Sequence, residues 1–310
     1  MACDASIIFV SDYKAGEDKS WNDMRAALSA LAEQDFDGSV EVLLVEEERY
    51  ISQIPEDLAT LHPNLKIVSS TKTNSYALAN VGVDAADSEF VVLLDADCIP
   101  AKAWLQHCIK RLRSNQMIGV VSGKTRYPGE SLRERCLALL SRSYVVPSDR
   151  QATRHISNNN AGFRRAIFLQ YPLPESSGIY ASRLQAIAIE RGGWTMAFEP
   201  GMEVIHDFEG WNMERDIRHQ MAHNLISMRQ ADPSLPYAWV ANMGVIGLPV
   251  YFVGRLLQQW NKCIRVPSHF GVRAFEVPVA MALAVWTSAL ELPGALRALR
   301  SQPVRDTVYR

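Results

Sequence analysis

The segment that decides the fold reads Phe90-Val91-Val92-Leu93-Leu94-Asp95-Ala96-Asp97-Cys98-Ile99-Pro100, an apolar run closed by two carboxylates one residue apart. Such a run is typical of a strand buried on both faces, in the middle of a parallel sheet covered by helices. Ligands of these sheets bind at the carboxyl ends of the strands, where Asp95 and Asp97 lie. Alternate residues of a strand point to the same side, so both carboxylates could bind one Mg²⁺ or Mn²⁺. Alternatively, they only cap a following helix that has Pro100 in its first turn.

Strands and helices are predicted to alternate on the amino-terminal side of this segment. Apolar runs predict three earlier strands, and helical spacing predicts two helices between them. The strands are expected at Ser6–Val10, Val40–Val45 and Leu65–Val68, and the helices at Trp21–Ala32 and Tyr76–Ala86. This order is typical of a doubly wound, mostly parallel α/β sheet with right-handed crossovers.

The composition narrows the class of protein. The 310 residues are 48% hydrophobic and 21% charged, which predicts one large globular domain, or one domain with an appendage. The net charge of -2 and the lack of a basic stripe argue against nucleic acid as a partner. Five scattered cysteines without a CxxC pair predict neither a disulfide framework nor a zinc site. With no secretory signal visible, a cytoplasmic protein is expected.

Several features follow one another in a particular order. A first strand leads into a polar loop, a second strand ends in acids, a small-residue helix follows, and the central strand ends in Asp-x-Asp. The segments that carry the pattern are Glu46-Glu47, Asn80–Ala86, Val92–Asp97, Ile156–Arg165, Gly192–Pro200 and Val204–His206. Over roughly residues 6 to 207 this order resembles the inverting family 2 glycosyltransferases, in which a polar turn such as Ile156–Asn159 leads into an Ala-Phe-Arg-Arg helix.

The resemblance implies a GT-A fold, a Rossmann-like and mostly parallel sheet flanked by helices. We expect a catalytic domain at residues 1–207, with the nucleotide-sugar half at about 1–100 and the acceptor half at about 101–207. Residues 208–310 are expected to form a helical, apolar C-terminal region.

The resemblance also implies a reaction and a set of site residues. One sugar would pass from a nucleotide-diphosphate sugar, with a UDP-sugar expected, to a hydroxyl of a glycan or lipid-linked acceptor. Mg²⁺ or Mn²⁺ would be bound by Asp95, Asp97 and His206 and would stabilise the leaving diphosphate as a Lewis acid. Contacts to the donor are expected from Ser11, Tyr13, Glu46, Glu47, Lys72, Asn80 and Asp95.

Each of these residues also has a plainer explanation. Glu46 and Glu47 stand where the family has aspartates that bind the nucleotide base, but the run to Arg49 could be a solvated face. Lys72 could face the pyrophosphate or be an ordinary surface lysine. A single histidine such as His206 is more often a packed or surface residue than a ligand.

The catalytic base is the largest departure from the family. Its members carry an acidic pair before the helix that ends at the Gly-aromatic step, and here that position holds Ala181-Ser182. The nearest upstream carboxylate, Glu175, is the candidate base, unless it only decorates a Pro- and Ser-rich loop. Asp207 and Glu209 are weaker candidates. Because the acidic pair is missing, a rival function stays open. The chain could bind a nucleotide-sugar or act as a scaffold, and transfer the sugar slowly or not at all.

A nucleotidyltransferase would also place carboxylates and a metal at strand ends. It would normally have a Gly-rich, basic phosphate loop after the first strand, and Ser11–Gly16 is a poor version of one. The Gln-x-x-Arg-Trp signature of processive relatives is absent from the sequence, so a single transfer is expected.

The C-terminal region combines helical and apolar patterns. Helical spacing of Met213, Ile217, Met221, Leu225 and Met228 predicts an amphipathic helix with these residues on its packed face. Two apolar stretches, Tyr237–Gly254 and Val277–Leu290, flank a basic segment that contains Trp260. We expect residues 237–290 to contact the inner face of the cytoplasmic membrane, the alternative being that both stretches pack as buried helices.

Overall fold

The computed structural model describes residues 3–11, 18–129, 131–147, 152–206 and 210–304. Within these residues one mixed sheet has the strand order β3-β2-β1-β4-β7-β6-β8-β5. The strands are β1 (Ala5–Val10), β2 (Val40–Glu47), β3 (Leu65–Ser70), β4 (Phe90–Asp95), β5 (Cys98–Pro100), β6 (Ile118–Arg126), β7 (Asn160–Arg164) and β8 (Thr195–His206).

Helices cover the sheet and form the C-terminal region. Those within the first 206 residues are α1 (Asp18–Ala32), α2 (Leu58–Leu61), α3 (Ser75–Ala85), α4 (Trp104–Ser114), α5 (Leu132–Arg142), α6 (Arg165–Gln170) and α7 (Ala181–Arg191). The later helices are α8 (Trp211–Ala231), α9 (Ala238–Asn242), α10 (Leu248–Arg265), α11 (Val277–Ala289) and α12 (Leu292–Leu299). Every described strand precedes residue 207, while the division into domains at that residue stays a prediction.

The parallel half of the sheet is as the apolar runs predict. Strands β3, β2, β1 and β4 pair in parallel, and β1 and β4 are almost fully buried. Alternate residues enter two separate cores: Val92 and Leu94 pack with α1 and α4, whereas Val91 and Leu93 pack with α3. Burial on both faces explains why these strands are apolar throughout.

The second half of the sheet is mixed and corrects one expectation. The Ala161–Arg164 segment, expected to be helical, belongs to β7, which pairs antiparallel with both β4 and β6. The helix starts only at Arg165. Small residues suit this crowded strand, because a Cβ on Gly162 would lie 2.1 Å from the Sγ atom of Cys108.

Strand β8 bulges where it passes the middle of β6. Its register against β6 shifts between Gly123 and Lys124. The buried Asn160 amide donates to the carbonyl oxygens of Lys124 and Met202 at 3.0 Å each, and its Oδ1 atom accepts from Trp104 Nε1 at 2.8 Å. Gly123 is required there, since a Cβ would lie 2.1 Å from the Met202 carbonyl oxygen. One side chain thus satisfies backbone groups that the bulge leaves outside the ladder.

Helix α8 buries a different face from the one predicted. Its fully buried positions are Glu214, Arg218, Ala222 and Ile226, whereas the Met and Leu stripe is only half-buried. The expectation was wrong because two of the buried side chains, Glu214 and Arg218, are charged; they pair with each other, and Arg218 also pairs with the distant Glu291. Such an arrangement cannot be seen in the periodicity of apolar residues.

A buried ion network joins α8 to the helices that follow. Arg218 contacts Glu214 at 2.8 Å and Glu291 at 3.4 Å. Arg255 binds both oxygens of Glu291 at 2.6 and 2.7 Å, and the Tyr251 hydroxyl donates to Glu291 at 2.7 Å. Burial raises the pKa of the Glu291 carboxyl, but Arg255 and Arg218 outweigh it and lower that pKa below its usual range. Glu291 is therefore ionised, as a counter-charge for two arginines.

Removing the charge of Glu291 should destabilise the protein strongly. Glu291→Gln leaves Arg218 and Arg255 buried without their shared counter-ion, and we expect a loss of about 3–5 kcal/mol in the free energy of unfolding. The measurement is chemical denaturation followed by circular dichroism.

The control is the exposed pair of Arg25 and Asp57, 2.6 Å apart. Asp57→Asn should lower the free energy of unfolding far less than Glu291→Gln does, since water screens this exposed pair. Equal losses in the two variants would contradict the role assigned to Glu291.

Candidate active site

Polar side chains gather at the carboxyl ends of the parallel strands. Ser11 follows β1, Glu46 and Glu47 end β2, and Asp95 ends β4. The register places Val10 beside Asp95 and Glu47 beside Ser70, so these residues share one edge of the sheet. This is the edge at which α/β sheets bind ligands.

The acids of β2 are buried rather than solvated. Glu46 is fully buried and its Oε1 atom accepts from the Glu47 backbone N–H at 2.6 Å, while the Glu47 carboxylate pairs with Arg49. The explanation as a solvated face is therefore wrong for Glu46 and Glu47, whereas Glu48 and Arg49, the other two residues of the run, are exposed. The guanidinium of Arg49 also lies 4.7 Å from the centroid of the Tyr50 ring, which holds it at the strand end.

The pairing of β5 with β8 brings Asp97 and His206 together. Cys98 is opposite His206 in this antiparallel ladder, so His206 comes next to the residue before Cys98. The Nε2 atom of His206 lies 3.2 Å from Asp97 Oδ2, and both side chains are largely buried. Two of the three ligands predicted from the sequence are thus in contact.

The donor atoms of Asp97, Cys98 and His206 lie within 4.8 Å of one another. Among the residues described, this is the cluster that could hold a metal ion, and it contains Cys98 in place of the expected Asp95. The Oδ1 atom of Asp97 is buried and has no hydrogen-bond partner among the described residues. A buried carboxylate oxygen without a partner is costly unless a cation or a ligand completes it. The site therefore fits a divalent cation.

The chemistry of Cys98 limits its part in such a site. Burial, followed by the charges of Asp97 and Asp95, raises the pKa of this thiol well above its ordinary value. The side chain is then a neutral thiol that accepts a weak hydrogen bond from Asn159 Nδ2 at 3.6 Å. The carboxylate of Asp97 and the imidazole of His206 suit Mg²⁺ or Mn²⁺ better than a protonated thiol does.

Two further residues, one in contact with His206 and one in contact with that first residue, were not singled out from the sequence. The ring of Tyr127 meets the His206 ring edge-on, with centroids 6.2 Å apart, and the Arg142 guanidinium lies 5.8 Å from the Tyr127 ring centroid. Tyr127 directly follows β6, and Arg142 is the last residue of α5. The sequence pattern did not define either element. No local motif marks them, because their position depends on how those two elements pack.

The loop before β7 supports the site through a chain of contacts. The His155 ring packs edge-on against Tyr144 at 5.9 Å, the Tyr144 hydroxyl lies 2.9 Å from Ser157 Oγ, and Ser157 donates to Asn159. Asn159 reaches Cys98, next to Asp97. The side-chain amide atoms of the intervening Asn158 are buried, with no hydrogen-bond partner in the part of the chain that the structure describes. The run of three asparagines was the only signal of this polar loop in the sequence.

Lys72 and Glu175, predicted separately, form one ion pair. The Lys72 Nζ atom lies 2.8 Å from Glu175 Oε2, and both side chains remain partly exposed. Lys72 stands two residues beyond β3, at the carboxyl edge of the sheet. The loop that carries Glu175 therefore reaches the edge at which the donor is expected.

Asn80 holds this loop in place. Its amide nitrogen donates to the Leu173 carbonyl oxygen at 2.9 Å, and its Oδ1 atom accepts from the Leu173 N–H at 3.1 Å. Both ends of the amide are used, so direct contact with a donor would require these bonds to break. Asn80 thus links α3 to the loop two residues before Glu175.

The position at which the resemblance predicts the family's acidic pair, Ala181-Ser182, lies at the start of a helix. Ala181 is the first residue of α7 and is buried. Three of the predicted candidates, Tyr13, Asp207 and Glu209, lie outside the described residues.

The family follows from a comparison of the sequence with family models. The model of glycosyl transferase family 2 matches residues 16–171, which is half of the chain. The chain belongs to this family. The matched region contains the strands β2 to β7. It also contains Lys72, which pairs with Glu175, and Asp97, which contacts His206. No curated protein matches the chain at a significant level.

Solved structures confirm the fold of this family 2 glycosyltransferase. A mannosyltransferase from Pyrobaculum calidifontis, PcManGT, in complex with GDP-Man and Mn²⁺, is 18% identical with a TM-score of 0.65, covering 98% of this chain and 89% of that one. TarS 1-349 of S. aureus in complex with UDP-GlcNAc is 16% identical with a TM-score of 0.51, covering 98% and 93%. The GT-A fold predicted from the sequence is thereby confirmed, including its C-terminal helices.

The supporting loop makes stability depend on pH. Burial, followed by Arg183, Lys262 and Arg154, lowers the pKa of His155 from 6.5 to about 3. Between these values the unfolded chain binds a proton that the folded chain does not. Stability from this group is therefore present above about pH 6.5 and falls toward pH 3, by at most roughly 1.4 kcal/mol per pH unit.

His155→Phe should flatten this dependence, because it keeps an aromatic ring against Tyr144 and removes the titrating group. The free energy of unfolding is measured by chemical denaturation between about pH 6.5 and pH 4.5. His269→Phe, at an exposed position, is the control. The same slope in the wild type and in His155→Phe would contradict the assignment.

Proposed function

We propose that this glycosyltransferase moves one sugar from a nucleoside-diphosphate sugar to an acceptor hydroxyl, with inversion, and requires Mg²⁺ or Mn²⁺. The observation that carries the proposal is the contact of Asp97 with His206, with Asp97 Oδ1 buried and unpartnered, at the edge where β1, β2 and β4 end. The family supports the transfer of a sugar. PcManGT, whose complex holds GDP-Man and Mn²⁺, supports a donor of this class and a metal.

In the proposed reaction the bond between the anomeric carbon and the diphosphate oxygen breaks, and the acceptor oxygen forms the new bond. Asp97 and His206 would hold the cation, which supplies Lewis-acid stabilisation of the negative charge on the departing diphosphate. Glu46 and Glu47 would accept hydrogen bonds from the nucleotide base, and Ser11 and Asp95, at the ends of the neighbouring strands β1 and β4, would contact the donor between the base and the metal ligands.

The proton of the acceptor hydroxyl needs a base. We assign this role to the carboxylate of Glu175, which the Asn80–Leu173 bonds hold at the strand edge. Lys72, 2.8 Å from Glu175, would orient the carboxylate and could move to the diphosphate when the donor binds. Proton transfer of this kind contributes roughly a hundred- to ten-thousand-fold in rate.

The metal site is tested by Asp97→Ala. We expect metal-dependent binding of the donor to be lost, because no other carboxylate among the described residues faces His206 in the cluster. His206→Gln should weaken it by more than the roughly 10- to 100-fold that loss of a supporting residue costs. Calorimetry with GDP-mannose and with UDP-GlcNAc, with and without Mn²⁺, measures both.

Asp37→Ala, at an exposed aspartate between α1 and β2, is the matched control and should bind like the wild type. Unchanged Mn²⁺-dependent binding of the accepted donor by the Asp97→Ala protein would refute the metal site. Thermal unfolding of each variant checks that the fold is kept.

The base is tested by Glu175→Gln. This variant keeps the size of the side chain and one hydrogen bond to Lys72 but loses the basic oxygen, so donor affinity should stay and kcat should fall by roughly a hundred-fold or more. Glu190→Gln, which alters another partly exposed and ion-paired glutamate, is the control for turnover. Donor affinity is measured by calorimetry and turnover by release of the nucleoside diphosphate.

Two results would count against this assignment. Full turnover of Glu175→Gln would mean that another group is the catalytic base. Asp207 and Glu209 would then be the next candidates. If the wild type binds donor with metal but transfers to no acceptor, the rival scaffold function is favoured. The specific observation behind that rival is the absence of a carboxylate at Ala181-Ser182.

A further inference from the structure

The C-terminal region presents an apolar surface to its surroundings. This surface lies on the helices α10 and α11, which pack against each other, on the turn before α10 and on the segment between the two helices. We name these residues, 244–289, the apolar hairpin. Ile246 is 80% exposed, Leu257 57%, Phe275 72% and Trp286 58%. The other large apolar side chains exposed on the hairpin are Val245, Val250, Val253, Ile264, Val279 and Val285.

These residues follow one outward stripe on each helix. The positions 250, 253 and 257 on α10, with 246 in the turn before it, recur at the spacing of a single helical face, as do 279, 282 and 286 on α11, with 275 in the turn before it. The inner faces pack in a core with α5 and Tyr127. Trp260 Nε1 donates to the Met281 carbonyl oxygen at 3.0 Å, which fixes the two helices against each other. The exposed apolar residues of the outer stripe therefore do not contribute to the core that holds the two helices on the domain.

The charges on the hairpin have one sign at its surface. Glu276 is its only acidic residue, and this carboxylate is buried and paired with Arg135 at 2.7 Å. Arg265 and Arg273 are exposed at the end where α10 leads into α11. The Arg273 guanidinium lies 5.7 Å from the centroid of the exposed Phe275 ring, so a cation and an aromatic ring project together.

We propose that the apolar hairpin docks on the surface of a bilayer that contains anionic lipid. The helices lie in the plane of the membrane, the outward stripe enters the boundary between headgroups and acyl chains, and Arg265 and Arg273 contact the anionic headgroups. Apolar side chains with aromatic residues and flanking cations are what an interfacial helix requires.

The charges favour lipid over a second copy of the chain. If two copies met through this face, each would offer exposed arginines and no exposed carboxylate from the hairpin to pair with them. A leaflet with anionic headgroups pairs with the arginines and also receives the apolar stripe. Large exposed apolar patches on a folded protein mark sites of this kind.

The packing favours a hairpin that lies on the membrane rather than one that spans it. By length and composition the helical segment Ala274–Leu299 is able to cross a membrane, but 39% of its apolar window is buried in the protein. On α10, Arg255 is held inside by Glu291. A spanning helix would have to withdraw these side chains from their partners, whereas in-plane docking uses only the face that is already exposed.

Docking would also fix the active site near the membrane. Tyr127 packs in the same core as the hairpin, and its ring contacts His206. One side chain thus contacts both the hairpin core and His206, a proposed metal ligand. The docking itself does not rest on the proposed function, since lipid binding is measured without donor or acceptor.

The test is sedimentation of the full chain with phosphatidylcholine vesicles, with and without phosphatidylglycerol. We expect binding that needs the anionic lipid. Val253→Gln with Leu257→Gln should weaken it at least about tenfold, because two side chains no longer enter the interface. Arg265→Gln with Arg273→Gln should weaken it about fivefold for each cation removed.

Matched controls change similar residues elsewhere. Ile67→Gln with Met117→Gln removes exposed apolar side chains of the catalytic half, and Lys102→Gln with Lys110→Gln removes exposed cations. Neither pair should alter vesicle binding. Quenching by brominated lipid, compared between the wild type and Trp286→Phe, should show that Trp286 enters the acyl boundary.

Four results would overturn the proposal. They are no binding to anionic vesicles, equal loss in the control pairs, membrane-bound protein that resists alkaline carbonate extraction, and a dimer in solution that the Val253 and Leu257 changes convert to a monomer. The third result would mean that the hairpin spans the bilayer, and the fourth that a second copy covers its outer face. Thermal unfolding of each variant checks that the fold is intact.

Discussion

The site depends on three pairs of residues in the short ladder between β5 and β8. Cys98, Ile99 and Pro100 pair with His206, Ile205 and Val204, and this register sets the imidazole beside Asp97. A slip of one residue would turn His206 to the opposite face of the strand, because side chains alternate along it. The carboxylate and the imidazole come from distant parts of the chain. Only the pairing of β5 with β8 brings them together, which no local sequence motif could do.

That register is itself set by the bulge in β8. The shift between Gly123 and Lys124 adds residues to β8 before it reaches β5, and the Asn160 amide holds the displaced backbone by two hydrogen bonds. Asn160 opens β7, which pairs with β4, so one buried amide connects the central strand to the bulge. The glycine at 123 and the asparagine at 160 are thus geometric requirements of the site, although neither needs to touch a ligand.

The sequence allowed the parallel half of the fold to be predicted because each element there is local. Apolar runs such as Phe90–Leu94 are buried on both faces, and the acids that follow them mark the carboxyl edge. Asp97 and His206 came from the family resemblance, whereas Cys98, Tyr127 and Arg142 were missed because only tertiary pairing brings them there. The β7 segment was assigned to a helix through the family resemblance, and its five residues are too few for an alternating pattern to identify a strand instead.

The dependence on tertiary pairing also explains why the buried face of α8 was not predicted from the sequence. In α8 and α10, charged side chains are buried, and on α10 apolar side chains are exposed, unlike in an ordinary surface helix. Helix α8 buries Glu214 and Arg218, and α10 turns Arg255 inward to Glu291 while Val253 and Leu257 face outward. A helix surrounded by water gains by burying its apolar face, so this arrangement has no hydrophobic benefit in water alone. Charges that are satisfied inside leave the outer face free to be apolar, and the inner ion network keeps the helices attached to the domain when that face enters a different medium. If the hairpin docks on a bilayer as proposed, the buried ions and the exposed stripe would be two consequences of one requirement, a surface that packs on protein from one side and on an apolar medium from the other.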